Sequence, residues 1–152
     1  MTYIIRQAQQ VDLERIQSLL TKAGLDVEGI ESFIDYFLLM EDEVRDDLEG
    51  VVGIEPIENV GLLRSMVLQN AGAEEILFLL QQVIKLAKTK ELKELYGMVN
   101  SQNAIQLFQL LGFKEIDSNN IPRMVGESKA VRKQIPVNNP IFLQYSLENV
   151  DK

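Results

Sequence analysis

Two rhythms alternate along this chain: short apolar runs that read as strands, and stretches with an apolar residue every three or four positions that read as helices. Residues 2–8 centre on Ile4 and Ile5 and predict a short strand. Asp12 stands where a helix cap belongs, ahead of Leu13, Ile16, Leu19 and Leu20, and Gly24 ends that helix. From Gly29 a second helical pattern puts Ile30, Phe33, Ile34, Phe37 and Leu38 on one face, although residues 37–40 also read as the start of a strand. Residues 41–49 are rich in carboxylates and predict an exposed turn. Two strand-like runs follow, 50–54 and 60–68, and residues 55–59 between them predict the turn of an antiparallel hairpin.

The clearest helix begins near Ala73, where Ile76, Leu79, Leu80, Val83, Ile84 and Ala87 keep helical spacing. A strand at 95–99 leads to a helix with Ala104, Ile105, Phe108 and Leu111 along one side, closed by Gly112. Residues 113–116 form another strand, 117–140 read as a mostly polar connection punctuated by Pro122, Pro136 and Pro140, and 141–147 form the last strand. The order β-α-α-β-β-β-α-β-α-β-β predicts an α+β fold with a mixed sheet. No repeat, low-complexity tract or linker divides it, so residues 1–152 are expected to form a single domain.

Composition narrows the function. The chain has 152 residues, 46% hydrophobic and 25% charged, which suits a globular protein with a core. Twenty-three acidic against 15 basic residues leave a net charge of −8, which argues against a nucleic-acid-binding surface. Cysteine and histidine are both absent. Disulfides, thiolate metal sites, a cysteine nucleophile and a Ser-His-Asp triad are thereby excluded, and no metal site is expected. The first residues lack a basic start followed by an apolar core, and no run approaches the ~20 apolar residues of a membrane span. A cytoplasmic protein without a membrane partner is therefore expected.

Residues 61–116 resemble the core of the GNAT family of N-acetyltransferases. The likeness is carried by the strand Gly61-Leu-Leu-Arg-Ser-Met-Val67, by the loop feeding the long helix, and by Asn103-Ala104-x-x-x-Phe108-x-x-x-Gly112-Phe113. The last resembles the family's Asn-x-x-Ala-x-x-x-Tyr-x-x-x-Gly-Phe pattern. The sequence Leu-Leu-Arg-Ser, with Ile121-Pro122 and the closing strand, is similar to the branch containing the acetyltransferase domain of N-acetylglutamate synthase and arsenic-resistance-associated GNAT proteins. The resemblance implies a mostly antiparallel sheet flanked by helices, acetyl-CoA as cofactor, and a small amine or amino acid as acceptor. It also makes a homodimer through the last strand an option.

By the same resemblance, the central strand would end in a bulge, Met66, Val67 and Leu68 would contact pantetheine through the backbone, and Asn103 and Phe108 would lie near the cofactor. The diphosphate loop would correspond to Gln69-Asn-Ala-Gly72-Ala73-Glu74, with Gln69, Gly72 and Ala73 as its contacts. Two departures stand out. Glu74 and Glu75 fall in the first helical turn, where an anion would be welcomed by free N–H groups and a positive dipole end. Phe108 replaces a tyrosine that in many relatives returns a proton to the leaving thiolate, which phenylalanine cannot do.

With no histidine, Glu55 and Glu58 are the candidate general bases, and Tyr96 is a weaker third. Arg64 either orients a substrate carboxylate or makes a structural ion pair. Asn103 is expected to cap its helix. The basic group Arg123, Lys129, Arg132 and Lys133 either binds an anion or is a solvated connection. Two functions follow: an acetyl-CoA-dependent N-acetyltransferase, or a GNAT-fold domain that has lost productive CoA binding and serves a binding or regulatory role.

Overall fold

The computed structural model describes residues 3–45, 47–69, 72–138 and 140–147. Its seven strands form one sheet in the order β1-β2-β3-β4-β5-β7-β6, with β1 at Tyr3–Gln7, β2 at Phe37–Asp42, β3 at Leu48–Ile57, β4 at Val60–Leu68, β5 at Glu94–Val99, β6 at Lys114–Ile116 and β7 at Ile141–Ser146. Every neighbouring pair is antiparallel except β4 and β5. Those two run parallel and pair only through Gly61↔Leu95 and Leu62↔Tyr96, beyond which they part. The expected α+β class and mostly antiparallel sheet are both present.

Helices cover both faces. On one, α2 (Ala73–Thr89) and α3 (Gln102–Leu110) bury Leu79, Leu80, Val83 and Phe108 against Val52, Ile54, Leu63 and Leu143. On the other lie α1 (Leu13–Lys22), a 3-10 helix at Ile30–Tyr36, and the short pair α4 (Arg123–Gly126) and α5 (Lys129–Asn138). Ile16, Leu20, Phe33 and Phe37 form one cluster there, while Val125 and Val131 join Leu62, Tyr96 and Phe142 in another. Among the described residues, no helix is long and apolar enough to cross a membrane.

Several local expectations change. The second helical pattern ends at Tyr36, kinks at Phe33, and gives way to β2, whose six residues are all buried. The acidic stretch is an exposed turn only in part. Glu41, Asp42 and Glu49 sit in strands with at most 8% exposure. Arginines supply the reason. Arg6 bonds both Asp12 and Glu41 at 2.8–3.1 Å, Arg15 reaches Glu41 at 3.1 Å, and Arg45 bridges Asp42 and Glu49. Asp12 precedes α1 as expected, but its carboxylate accepts from Gln9 N–H and Arg6 rather than capping the helix. The connection 117–140 holds α4 and α5, anchored by Val125 and Val131. Gly24 and Gly112 end their helices as expected, at φ of 79° and 107°.

Candidate functional site

The β3–β4 hairpin turns more tightly than its sequence suggests. Its strands remain paired as far as Ile57↔Val60, leaving only Glu58 and Asn59 in the turn. Glu55 is therefore a strand residue and Glu58 a turn residue, at φ 54° and exposed. Further along, Val51 faces Val67 whereas Gly53 faces Arg64, so Ser65 and Met66 together oppose Val52 alone. This is a β-bulge, and Ser65 takes the strained φ of 60° within it. The bulge bends β4 where β5 has already parted from it. The resulting cleft of about 690 Å³ is lined by Phe33, Glu55, Arg64, Met98 and Phe108 among others.

Arg64 occupies the middle of this cleft with 14% of its side chain exposed. Its Nη1 donates to Glu55 Oε1 at 2.8 Å, its Nε donates to Ser65 Oγ at 3.3 Å, and its guanidinium lies 5.9 Å from the centre of the Phe33 ring. Glu55 and Arg64 are diagonal neighbours across the hairpin, which is why the pair forms. At the rim, Lys133 meets Asp26 at 2.6 Å and Lys129 meets Glu28 at 3.0 Å. The hydrogen bond from Lys133 holds the Asp26 carboxyl below its usual range, and the same bond raises the ammonium. The alternatives for Arg64 thus converge: it is ion-paired, and it faces the cleft. Lys129 and Lys133 each have a carboxylate partner while remaining largely exposed to solvent.

Tyr96 lies elsewhere. Buried with Val60, Leu62 and Phe142, it donates to Glu94 at 2.6 Å and accepts from Gln144 at 3.0 Å. Burial, helped by Glu94, pushes its phenol up to about 12. A base is needed in its ionised form, so Tyr96 is unsuited to that role.

Along the rest of β4, Met66 is exposed while Val67 and Leu68 pack half-buried into the cores on opposite faces of the sheet. Residues 70 and 71 of the expected diphosphate loop lie outside the described residues. Gln69 N–H donates to Glu49 O at 2.7 Å, and Gly72 N–H donates to Glu75 Oε1 at 2.8 Å. Ala73 opens α2, and Glu74 points along an exposed hollow shared with Tyr3 and Phe78. In α3 the cap is Ser101, whose Oγ accepts from Ala104 N–H at 3.2 Å. Asn103, expected as the cap, is instead an exposed first-turn residue. Phe108 is buried edge-on to Phe113, with centroids 5.0 Å apart.

This arrangement of strands and helices overlays on solved acetyltransferases. The chain overlays 98% of its length on N-acetylglutamate synthase from Neisseria gonorrhoeae, complexed with coenzyme A and N-acetyl-glutamate, at a TM-score of 0.73 and 19% identity. The fold is that of the GNAT acetyltransferases. This chain spans 36% of the gonococcal synthase chain. It also matches 99% of Rv2747 from Mycobacterium tuberculosis, in complex with CoA, at a TM-score of 0.74 and 13% identity. A GNAT-family acetyltransferase from Staphylococcus aureus Mu50 is matched over its whole length at 0.69 and 18%. In sequence, the uncharacterized protein YwlB of Bacillus subtilis (strain 168) is 28% identical over 120 residues, 78% of this chain and 81% of that one. No protein-family model matches the chain.

The GNAT fold implies a CoA-type cofactor, whose two halves would meet different surroundings here. Met66 and Phe108 both line the cleft beside the bulge and the splay, a partly apolar wall that suits a thin, mostly neutral pantetheine arm. At the diphosphate end two of the expected donors are engaged within the chain: Gly72 N–H donates to a carboxylate from the first turn of α2, and Gln69 N–H belongs to the sheet. Phe33, Asp26 and Glu28 of the cleft carry no signal in the sequence. The four-residue spacing of Lys129 and Lys133 on one helix does carry one, once α5 is known to be a helix.

Proposed function

We propose that this chain is a GNAT-fold N-acyltransferase domain whose acceptor is a small amine carrying a carboxylate. The observation behind this reading is the Arg64–Glu55 pair set in the cleft beside the β4 bulge. Arg64 offers a planar, pre-oriented cation on Phe33, the arrangement that suits a carboxylate. Glu55 is the acid best placed to take a proton from the attacking amine, once an incoming carboxylate shares the guanidinium that now holds it. Glu58 lies at the hairpin tip and does not line the cleft, so it is left out of this role. A bound thioester would supply the acyl group, and Phe108 would give apolar walling but no proton.

One observation favours a second reading, in which the fold persists without productive CoA binding: the Glu75 carboxylate on Gly72 N–H. Isothermal titration with acetyl-CoA at low salt separates the two. Micromolar binding, followed by acetylation of one or more amino acids in a screen, supports the transferase. No heat and no thermal shift at millimolar acetyl-CoA sinks it and leaves a binding or regulatory domain.

A further inference from the structure

The Arg64–Glu55 pair leaves polar atoms of both signs unused. Arg64 places Nη1 on Glu55 Oε1 at 2.8 Å and Nε on Ser65 Oγ at 3.3 Å, while its Nη2 donates to no described residue. Glu55 Oε2 likewise accepts from no described residue. Among the described residues no fully buried side-chain nitrogen or oxygen lacks a partner, so both atoms are reachable from the cleft that the two residues line. The pair therefore presents a free donor and a free acceptor on adjoining groups. A carboxylate and an ammonium on one carbon, as in an α-amino acid, suit the two together.

The other charges lining the cleft are already matched. Asp26 accepts from Lys133 through Oδ2 and from Glu28 N–H through Oδ1, and Lys129 holds Glu28 at 3.0 Å. These four side chains are at least 41% exposed, in contrast to Arg64 at 14%. A charged ligand side chain that reached them would meet groups still in water, where an ion pair changes affinity by about fivefold at most. Carbon offers more. Leu25 and Phe33, with Met98 of β5 and Ala130 of α5, line the same cleft. A buried aliphatic or aromatic side chain strengthens binding roughly 10- to 150-fold over none. The apolar contribution therefore decides which side chain the cleft prefers.

We infer that the cleft takes an α-amino acid with an uncharged, apolar side chain of the size of leucine, methionine or phenylalanine. Arg64 holds its carboxylate, Glu55 its ammonium, and Leu25, Phe33, Met98 and Ala130 surround its side chain. The inference rests on the proposed reading of the cleft as an acceptor site and narrows its substrate class.

Isothermal titration of the chain with single amino acids, with and without millimolar acetyl-CoA, tests this. Leucine, methionine and phenylalanine should each bind about tenfold or more tighter than glycine, and tighter than glutamate or lysine. Leucinamide, which lacks the carboxylate, and 4-methylpentanoate, which lacks the ammonium, should each bind about tenfold or more weaker than leucine. Met98→Lys should reverse the order, weakening leucine and admitting glutamate. Phe78→Lys adds the same charge on the exposed surface of α2 and should leave the order unchanged. Circular dichroism checks that both variants fold, and the ranking of ligands on the parent chain stands without either. Glutamate or lysine binding as tightly as leucine would overturn the apolar class while leaving the acceptor site in place. So would a preference for leucine that persists unchanged in folded Met98→Lys, because the side chain then lies elsewhere. If no amino acid binds under either condition, the acceptor reading itself falls, and the inference with it.

Discussion

Glu75 makes two predictions of opposite sign that share one cause. Its carboxylate accepts Gly72 N–H at 2.8 Å and places a negative charge in the first turn of α2. Replacing it by alanine removes a capping bond and a favourable dipole interaction, together about 1–2 kcal/mol. For a chain of this size that corresponds to a fall in Tm of roughly 2–6 °C. Glutamine keeps an oxygen able to accept the bond and loses only the charge, so its cost is about 0.3–1 kcal/mol. Binding should move the other way. A unit charge about 4 Å from each phosphate repels it by about 1 kcal/mol even at the dielectric of water. Glu75→Gln should therefore bind acetyl-CoA roughly 5- to 30-fold more tightly than the parent at low salt, a gain that shrinks near 0.1 M salt as the Debye length falls to about 10 Å. Thermal denaturation and isothermal titration on parent, Gln and Ala forms give both quantities. If both variants bind acetyl-CoA no better than the parent, the carboxylate does not obstruct the diphosphate and the electrostatic argument fails.

Other residues give sharp expectations. Arg64→Met should cost about 1–3 kcal/mol by leaving Glu55 unpaired at 25% exposure, and adding Glu55→Gln should recover much of it; a urea-denaturation cycle that shows additivity would contradict the pairing. Arg6 lowers the carboxyls of Asp12 and Glu41, so their contribution is complete above the unfolded values near 4 and is lost as pH falls through the lower folded ones. Acid unfolding monitored by circular dichroism should accordingly shift to higher pH in Asp12→Asn. The Tyr96 phenol, raised to about 12, favours the folded state below pH 10 and loses that contribution between about pH 10 and 12. Ultraviolet titration of Tyr96→Phe should lack the latest-ionising tyrosine. Finally, acetyl-pantetheine, which lacks the diphosphate, should bind at least as well as acetyl-CoA; a clear preference for acetyl-CoA would show that the diphosphate end is intact.

What could be read in the sequence depended on whether the deciding contact was local. The hairpin and α2 announce themselves within a few residues, through a turn flanked by β-rich runs and through helical spacing, whereas the bulge in β4 entered only through the family resemblance. β2 does not, because a strand covered on both faces reads as a continuous apolar run that fits a helix equally well. The acidic stretch misleads for a different reason: the partners that allow Glu41 to be buried include Arg6, 35 residues away. α4 and α5 escape notice because one buried valine each, Val125 and Val131, holds them to the sheet. In the site, Arg64 and Glu55 stood out as charges in an apolar hairpin, whereas Asp26 and Glu28 are ordinary loop acids until the fold sets them opposite α5.

Charge is distributed unequally between the cleft and the start of α2, and this bears on both readings of the chain's function. Around the acceptor end each described cation has a carboxylate partner: Arg64 with Glu55, Lys129 with Glu28, and Lys133 with Asp26. A balanced set of pairs disfavours a simple ion of either sign, since binding one leaves a counter-charge stranded. A ligand carrying both signs can exchange partners on both sides without that cost, which agrees with an amino-acid-like acceptor. The donor end is different. Glu74 and Glu75 begin α2, and among the described residues no lysine or arginine lies between Arg64 and Lys85. In a chain of net charge −8 the field there opposes a polyanion before contact is made. On the proposed reading, the charge pattern therefore favours a small zwitterion in the cleft over a diphosphate at the start of α2.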